Sequence, residues 1–297
     1  MLCHFIGLLL WLAAVIAAGS YLRDPNVFEL TPKTFDKVVH GLNYTTVVEF
    51  YAPWCGYCQK LHSSYSKLGK FVHDDSQYAI NIAAVNCDDD VNRPLCAEYR
   101  IQGFPTVMVF RPPRYDGSSK KTDTRHISEV YQGERSFKAI LNFVTSRLKN
   151  YVKKFKLDGS ILPKWLAETL NEKPRVLLVT KNAQVSPLLK LLAIDYLERV
   201  DFGIVPAKQP VEQFTVGDEV VEIKEATLPM LVHYNTKTKL FEKFPGAKLN
   251  DKTKIAQWVT KVTGQKPAEG SLLKLGKKLY KIRTGKKAPA SDFGDEL

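Results

Sequence analysis

Val47-Val48-Glu49-Phe50-Tyr51 runs into Ala52-Pro53-Trp54-Cys55-Gly56-Tyr57-Cys58, and the change of pattern between the two is the most informative feature of the chain. The first run reads as a buried strand. After it, Leu61, Tyr65, Leu68 and Val72 recur at helical spacing across Gln59 to Val72, so the two cysteines fall at a strand-to-helix turn. Cys55 is expected to stand exposed at the helix start. Unpaired backbone N–H groups and the positive end of the helix dipole there favour thiolate over thiol.

At the amino end, the first nineteen residues hold no Lys, Arg, Asp or Glu, and Phe5 to Ala18 is almost wholly apolar up to Ala17-Ala18-Gly19-Ser20. This reads as a signal peptide over residues 1–19, cut near Gly19, because the apolar run is short for a membrane span and small residues follow it. No later run reaches the roughly eighteen apolar residues of a spanning helix, so no membrane insertion is expected after the leader is removed. The chain ends Asp295-Glu296-Leu297, which matches three positions of the Lys/His-Asp-Glu-Leu retrieval address, while Gly294 departs from it. Leader and ending together point to the oxidising lumen of the endoplasmic reticulum. Asn43-Tyr44-Thr45 is an acceptor sequon that fits this location.

The 297 residues, 44% hydrophobic, suffice for about two domains. With 17 Gly, 16 Pro and 25% charged residues, collagen-like, low-complexity and disordered classes fall away. A net charge of +12 raises nucleic acid or an anionic membrane as partners. It divides evenly, however, as +3 over residues 20–150, +5 over 151–264 and +4 over 265–297, and no nucleic-acid face is implied. The densest basic run, from Lys274 to Lys287, reads as a solvated tail.

Removing the leader takes Cys3 and leaves Cys55, Cys58, Cys87 and Cys96, two possible pairs. Zinc usually asks for two closely spaced pairs, and Cys87 and Cys96 lie nine residues apart, so no metal is expected. A bridge within Cys55-Gly56-Tyr57-Cys58 closes a small, strained and readily reduced ring, which suits redox use better than structural use.

Glu49-Phe50-Tyr51-Ala52-Pro53-Trp54-Cys55-Gly56-Tyr57-Cys58 with Gly103-Phe104-Pro105-Thr106 resembles a thioredoxin domain of the protein disulfide isomerase family. Val85-Asn86-Cys87, Leu95-Cys96-Ala97, Phe110-Arg111-Pro112-Pro113, Tyr151-Val152-Lys153-Lys154-Phe155 and Thr284-Gly285-Lys286-Lys287 resemble its small fungal type, the multicopy suppressors of isomerase deletion. The resemblance implies a thiol:disulfide oxidoreductase and isomerase that needs no cofactor. In it Cys55 is the nucleophile and Cys58 the resolving thiol, held where intramolecular attack releases a mixed disulfide. Glu49 is costly to bury in an apolar strand. The resemblance makes it the buried acid that exchanges a proton with Cys58; otherwise it lies on an exposed strand face. Arg135 in Gly133-Glu134-Arg135 matches the family's mobile arginine, with an ordinary surface charge as the alternative. Pro105 matches the cis-proline whose neighbouring backbone pairs with an extended substrate. Phe104, Trp54 and Tyr57 would share that contact surface, unless the two aromatics are mere plugs.

Cys87 closes the strand Ile80 to Asn86, and Cys96 lies in a short helix begun near Pro94. A bridge between them reads as structural, with a second redox pair as its rival. The polar stretch Arg111 to Glu129 reads as a long mobile loop. After the helix Phe137 to Leu148 the sequence restarts. Val176 to Thr180, Phe202 to Val205, Met230 to Tyr234 and Leu240 to Phe244 read as strands, and Leu188 to Leu197 and Ile255 to Val262 as helices. Thr227-Leu228-Pro229-Met230 takes the place of Phe104-Pro105-Thr106, and no cysteine follows Val176 to Thr180.

The expected fold is therefore α/β, with two thioredoxin-like domains in tandem: a leader at 1–19, a redox-active domain at 20–150, a redox-inactive one at 151–264 and a basic tail at 265–297. The expected partners of this monomer are unfolded or partly folded secretory proteins, a luminal oxidant or glutathione, and a folding chaperone. A chaperone that holds clients through apolar surface and uses its thiols little is the competing class; the intact dithiol, Glu49 and Pro105 favour the enzyme.

Overall fold

In the computed structural model the described residues are 20–76, 78–114, 125–157, 159–168, 173–207, 209, 211–246, 248–270 and 273–287. The expected leader, residues 115–124 of the expected mobile loop and the Asp295-Glu296-Leu297 ending lie outside them. Two compact units divide after Leu148, and residues 277–287 go with the first.

The first unit contains β1 (Phe28–Glu29), α1 (Pro32–Val39), β2 (Thr45–Tyr51), α2 (Gly56–Lys70), β3 (Ile80–Asn86), α3 (Arg93–Glu98), β4 (Thr106–Arg111), β5 (Ile127–Val130) and α4 (Phe137–Arg147). Its sheet runs β1-β3-β2-β4-β5, the first three strands parallel and the last two antiparallel to their neighbours. Both faces of β2 are covered and all seven of its residues are buried, which is why it reads as a continuous apolar run rather than an alternation. Helix α2 meets the sheet through Cys58, Leu61, Tyr65 and Leu68. The Tyr65 hydroxyl lies 2.8 Å from the Ala83 carbonyl oxygen and 3.1 Å from that of Val47, bonding the helix to β3 and β2 together. The end of the long polar stretch is ordered as β5, paired to β4 from Ile127 to Val130.

The second unit contains β6 (Lys153–Lys154), α5 (Ile161–Ala167), β7 (Arg175–Thr180), α6 (Pro187–Asp195), β8 (Asp201–Pro206), β9 (Val211–Val216), β10 (Glu219–Lys224), β11 (Met230–Asn235), β12 (Leu240–Lys243) and α7 (Lys252–Thr263). Its main sheet, β12-β11-β7-β8-β6, repeats the strand order and directions of the first. This is the expected tandem of thioredoxin-like folds. The pleat of β7 divides two cores: Val176 packs with Leu189, Leu192, Tyr196 and Val259, and Leu177 and Val179 pack with Leu162, Trp165 and Phe214. The β9–β10 hairpin, which the sequence reading passed over, covers the second of these faces together with α5. Gly203 in β8 leaves room for the rings of Trp165 and Phe155, into which a Cβ would press.

One expectation is corrected. Residues 274–284 are helix α8 (Lys274–Thr284) rather than a solvated tail. Leu279 is buried, and Arg283 bonds the Pro25 carbonyl and pairs with Asp74 at 3.2 Å. Alternating basic and apolar residues put a buried seam on a helix whose composition alone suggests solvation.

Within the second unit, Lys252 and Asp195 form an ion pair of 2.9 Å with both side chains 3% exposed. Lys252→Met removes the buried cation paired with Asp195 and should destabilise the second unit by about 3–5 kcal/mol. Denaturant unfolding checks this, and a loss below about 1 kcal/mol would show that the pair is dispensable.

Candidate active site

The dithiol is built by the turn between β2 and α2. The Cys55 N–H bonds the Ala52 carbonyl at 3.0 Å, and the Gln59 side-chain amide bonds the Pro53 carbonyl at 2.8 Å, closing the turn. Cys55 caps the helix, its Sγ accepting from the Cys58 N–H at 3.4 Å. Sγ also lies 3.6 Å from the Phe104 carbonyl oxygen. Both thiols are free. Cys55 is less open than expected, only 8% exposed, against 2% for Cys58. Exposure is instead carried by Trp54 (63%) and Tyr57 (68%), which are surface aromatics and not plugs. The Trp54 ring stands edge-on to Phe104 at 6.1 Å, and Lys60 Nζ lies 5.5 Å from the centre of the Tyr57 ring.

Burial pushes the Cys58 thiol up to about 12, helped by its hydrogen bond to Cys55 and the charge of Glu49. Glu49, paired in register with Ala84 and Val107, is fully buried. Its carboxyl is raised to about 8 by burial, opposed by a 2.6 Å hydrogen bond from the Tyr21 hydroxyl. The neighbouring charge of Glu29 raises it further, and Arg135 lowers it. Glu29, half-buried on β1, is itself raised to about 7 by burial and accepts from the Tyr51 hydroxyl at 2.9 Å.

The Phe104–Pro105 peptide is cis. Pro105 directly precedes β4, and its carbonyl accepts from Arg135 at 3.1 Å. The turn bearing Arg135 is pinned by the Tyr131 hydroxyl, which donates to the Glu134 carbonyl at 2.8 Å. Cys87 and Cys96 form a disulfide with their Cα atoms 6.0 Å apart. The Cys87 N–H bonds the Tyr51 carbonyl at 2.8 Å, so the bridge fastens the loop beyond β3 beside the end of β2. Asn43 is half-buried, and Thr45 of its sequon is 1% exposed. Among the described residues no group of three or more His, Cys, Asp or Glu is arranged to hold a metal.

Thus Cys55, Cys58, Glu49, Trp54, Tyr57, Phe104, Pro105 and Arg135 converge at one end of the first sheet. Cys87 and Cys96 form a separate pair, and Asn43 lies apart at the start of β2. Tyr21, Glu29 and Tyr51 were missed. Glu29 carries the signal that marked Glu49, an acid between the apolar Phe28 and Leu30; Tyr21 carries no local signal and is placed by tertiary contact alone. In the second unit the corresponding turn has no cysteine, and Leu228–Pro229 is again cis. A cavity of about 240 Å³ opens there, lined by Leu178, Thr180, Ser186, Leu189, Pro229 and Leu231.

The thioredoxin family matches residues 26–145. Over 295 aligned residues the chain is 37% identical to protein disulfide-isomerase MPD1 of Saccharomyces cerevisiae, with 92% of this chain and 89% of that protein covered. The chain belongs to the protein disulfide isomerase family. It is also 32% identical to a thioredoxin domain-containing protein of Schizosaccharomyces pombe described as mitochondrial, covering 75% of this chain and 57% of that one. Among solved structures, full-length ERdj5 aligns over 82% of this chain and 33% of its own, at 17% identity and a TM-score of 0.45. This isomerase-family chain is accordingly a thiol:disulfide oxidoreductase and isomerase.

The buried acid ties stability to pH. Glu49 ionises near 8 in the folded chain and near its ordinary 4.5 when unfolded. Between those values the fold keeps a proton that the unfolded chain releases, so stability falls as pH rises through this window and levels off above it. At about 1.4 kcal/mol for each tenfold change, the loss is on the order of 5 kcal/mol. Glu29 adds a fall of the same sign up to about 7. Glu49→Gln should flatten the dependence, as read by denaturant unfolding of the reduced protein from pH 4.5 to pH 9; equal slopes in both proteins would contradict it.

Proposed function

We propose that Cys55 is the attacking and leaving sulfur, Cys58 the resolving thiol and Glu49 its proton acceptor and donor. The observation that carries this reading is the pairing of a buried, strongly raised Cys58 thiol with a buried carboxyl that titrates near neutral pH. In the reductive direction the Cys55 thiolate attacks a substrate disulfide, forms a mixed disulfide and expels one substrate thiolate. Glu49 takes the Cys58 proton. The Cys58 thiolate then attacks Cys55 Sγ, closing the Cys55–Cys58 disulfide and releasing the second substrate thiolate, so that two electrons pass to the substrate. Oxidation is the reverse. Isomerisation follows when another substrate thiol attacks the mixed disulfide before Cys58 does.

Phe104 and Pro105, with the exposed rings of Trp54 and Tyr57, form the surface that seats an extended substrate segment. Arg135, on the Pro105 carbonyl, places a positive charge that favours the ionised form of Glu49. The Cys87–Cys96 bridge is structural. The cavity beside Pro229 is a contact point for clients in the redox-inactive unit. The endoplasmic reticulum lumen, an oxidising compartment, suits the protein's Cys87–Cys96 disulfide and Asn43 sequon. There it acts as a monomer at 20–150 and 151–264 on partly folded secretory proteins, with glutathione or a luminal oxidant as electron partner.

Cys58→Ser should accumulate mixed disulfides with reduced-and-denatured clients through Cys55, while Cys55→Ser should form none. Non-reducing electrophoresis and mass mapping of the adducts read the result. Adducts trapped by Cys55→Ser and absent from Cys58→Ser would reverse the roles.

A further inference from the structure

Among the buried polar groups outside the thiol exchange, Tyr21 makes the most direct contact with it. The residue lies before β1, outside any helix or strand, yet is only 2% exposed. Three rings fix it: His62 stacked at 4.4 Å and 15°, Tyr51 edge-on at 5.2 Å and Tyr65 tilted at 5.7 Å. Its backbone N–H donates to the Tyr51 hydroxyl oxygen at 3.3 Å, and its carbonyl accepts from the Asp24 N–H at 2.9 Å. So held, its hydroxyl donates to Glu49 Oε2 at 2.6 Å, within the range of a charge-assisted bond. The other carboxyl oxygen, Oε1, is buried with no hydrogen-bond partner among the described residues.

We propose that Tyr21 is a positioning residue of the dithiol site, its hydroxyl fixing Oε2 of Glu49 and leaving Oε1 to take the Cys58 proton. This rests on the reading of Glu49 as the proton acceptor. The groups facing the carboxyl act in both directions: Glu29 from β1 disfavours its ionised form, Arg135 before α4 favours it, and Cys58 and Tyr65 face it from α2. Tyr21 favours the carboxylate by donation, and burial together with the Glu49 charge keeps its own phenol protonated, so it donates throughout the cycle without competing for the proton.

The test is the pH dependence of the resolving step. Reduced full-length protein is mixed with a chromogenic aromatic disulfide. The first, concentration-dependent chromophore release reports Cys55, and the second, concentration-independent release reports attack by Cys58. In Tyr21→Phe, which keeps the ring contacts, the acidic limb of the second phase should move to higher pH by about one pH unit, the effect of losing one hydrogen bond to a charged group. Replacing Tyr21 with a ring-fluorinated tyrosine, a stronger donor of nearly the same shape, should move the limb to lower pH, and decides the matter if the phenylalanine variant does not fold. A limb that stays in place in the Tyr21 variants, or a loss of rate equal at every pH, overturns the proposal. Glu49→Gln should abolish the limb; a limb unchanged there overturns the assignment of Glu49 itself, and with it the role of Tyr21.

Discussion

The exclusion of water from the Glu49 carboxyl is the constraint around which the first unit is arranged. A charged carboxylate in a strand covered on both faces costs several kcal/mol unless it is paired, so burial raises the basicity of the carboxyl and fits its ionised form to take a proton from a nearby thiol. Continuous burial of β2, capping of α2 by Cys55 and the register that sets Glu49 between Ala84 and Val107 all serve this condition. Opening the strand to water would let the carboxyl return to its ordinary range, where it is too weak a base to act on a thiol pushed up to about 12.

The two units show how little of the architecture specifies the chemistry. Their sheets share strand order and directions, and each has a cis X-Pro peptide before its fourth strand. In the first, the strand-to-helix turn carries two thiols above a buried acid. In the second, the same turn carries none, and an apolar cavity occupies the corresponding end. The fold supplies a helix start, a facing loop and a sheltered interior; the reactive side chains decide whether that becomes an electron-transfer site or a surface for contact.

Much of this is legible in the sequence because the signals are local. The apolar run of β2, the helical spacing of Leu61, Tyr65 and Leu68, and Pro105 and Pro229 before their strands mark their places without tertiary information. Glu49 is legible as a lone acid in an apolar strand. Other features depend on contacts between distant residues. Helix α8 is basic enough to read as solvated, and only its packing through Leu279 and Arg283 shows otherwise. Cys55 meets the Phe104 carbonyl oxygen across forty-nine positions of chain. Tyr21 meets Glu49 across twenty-eight positions of chain, beyond the reach of any periodicity.

The central claim is that one buried carboxyl, made more basic by its surroundings, takes and returns the proton of the resolving thiol. Its most direct test is the titration of Glu49 in the reduced protein by carbon NMR of isotopically labelled glutamate carboxyls, with Glu49→Gln used to assign the resonance. The account predicts a midpoint near 8. A midpoint at the ordinary value near 4.5 would leave the carboxyl too weak a base for that exchange and would contradict it.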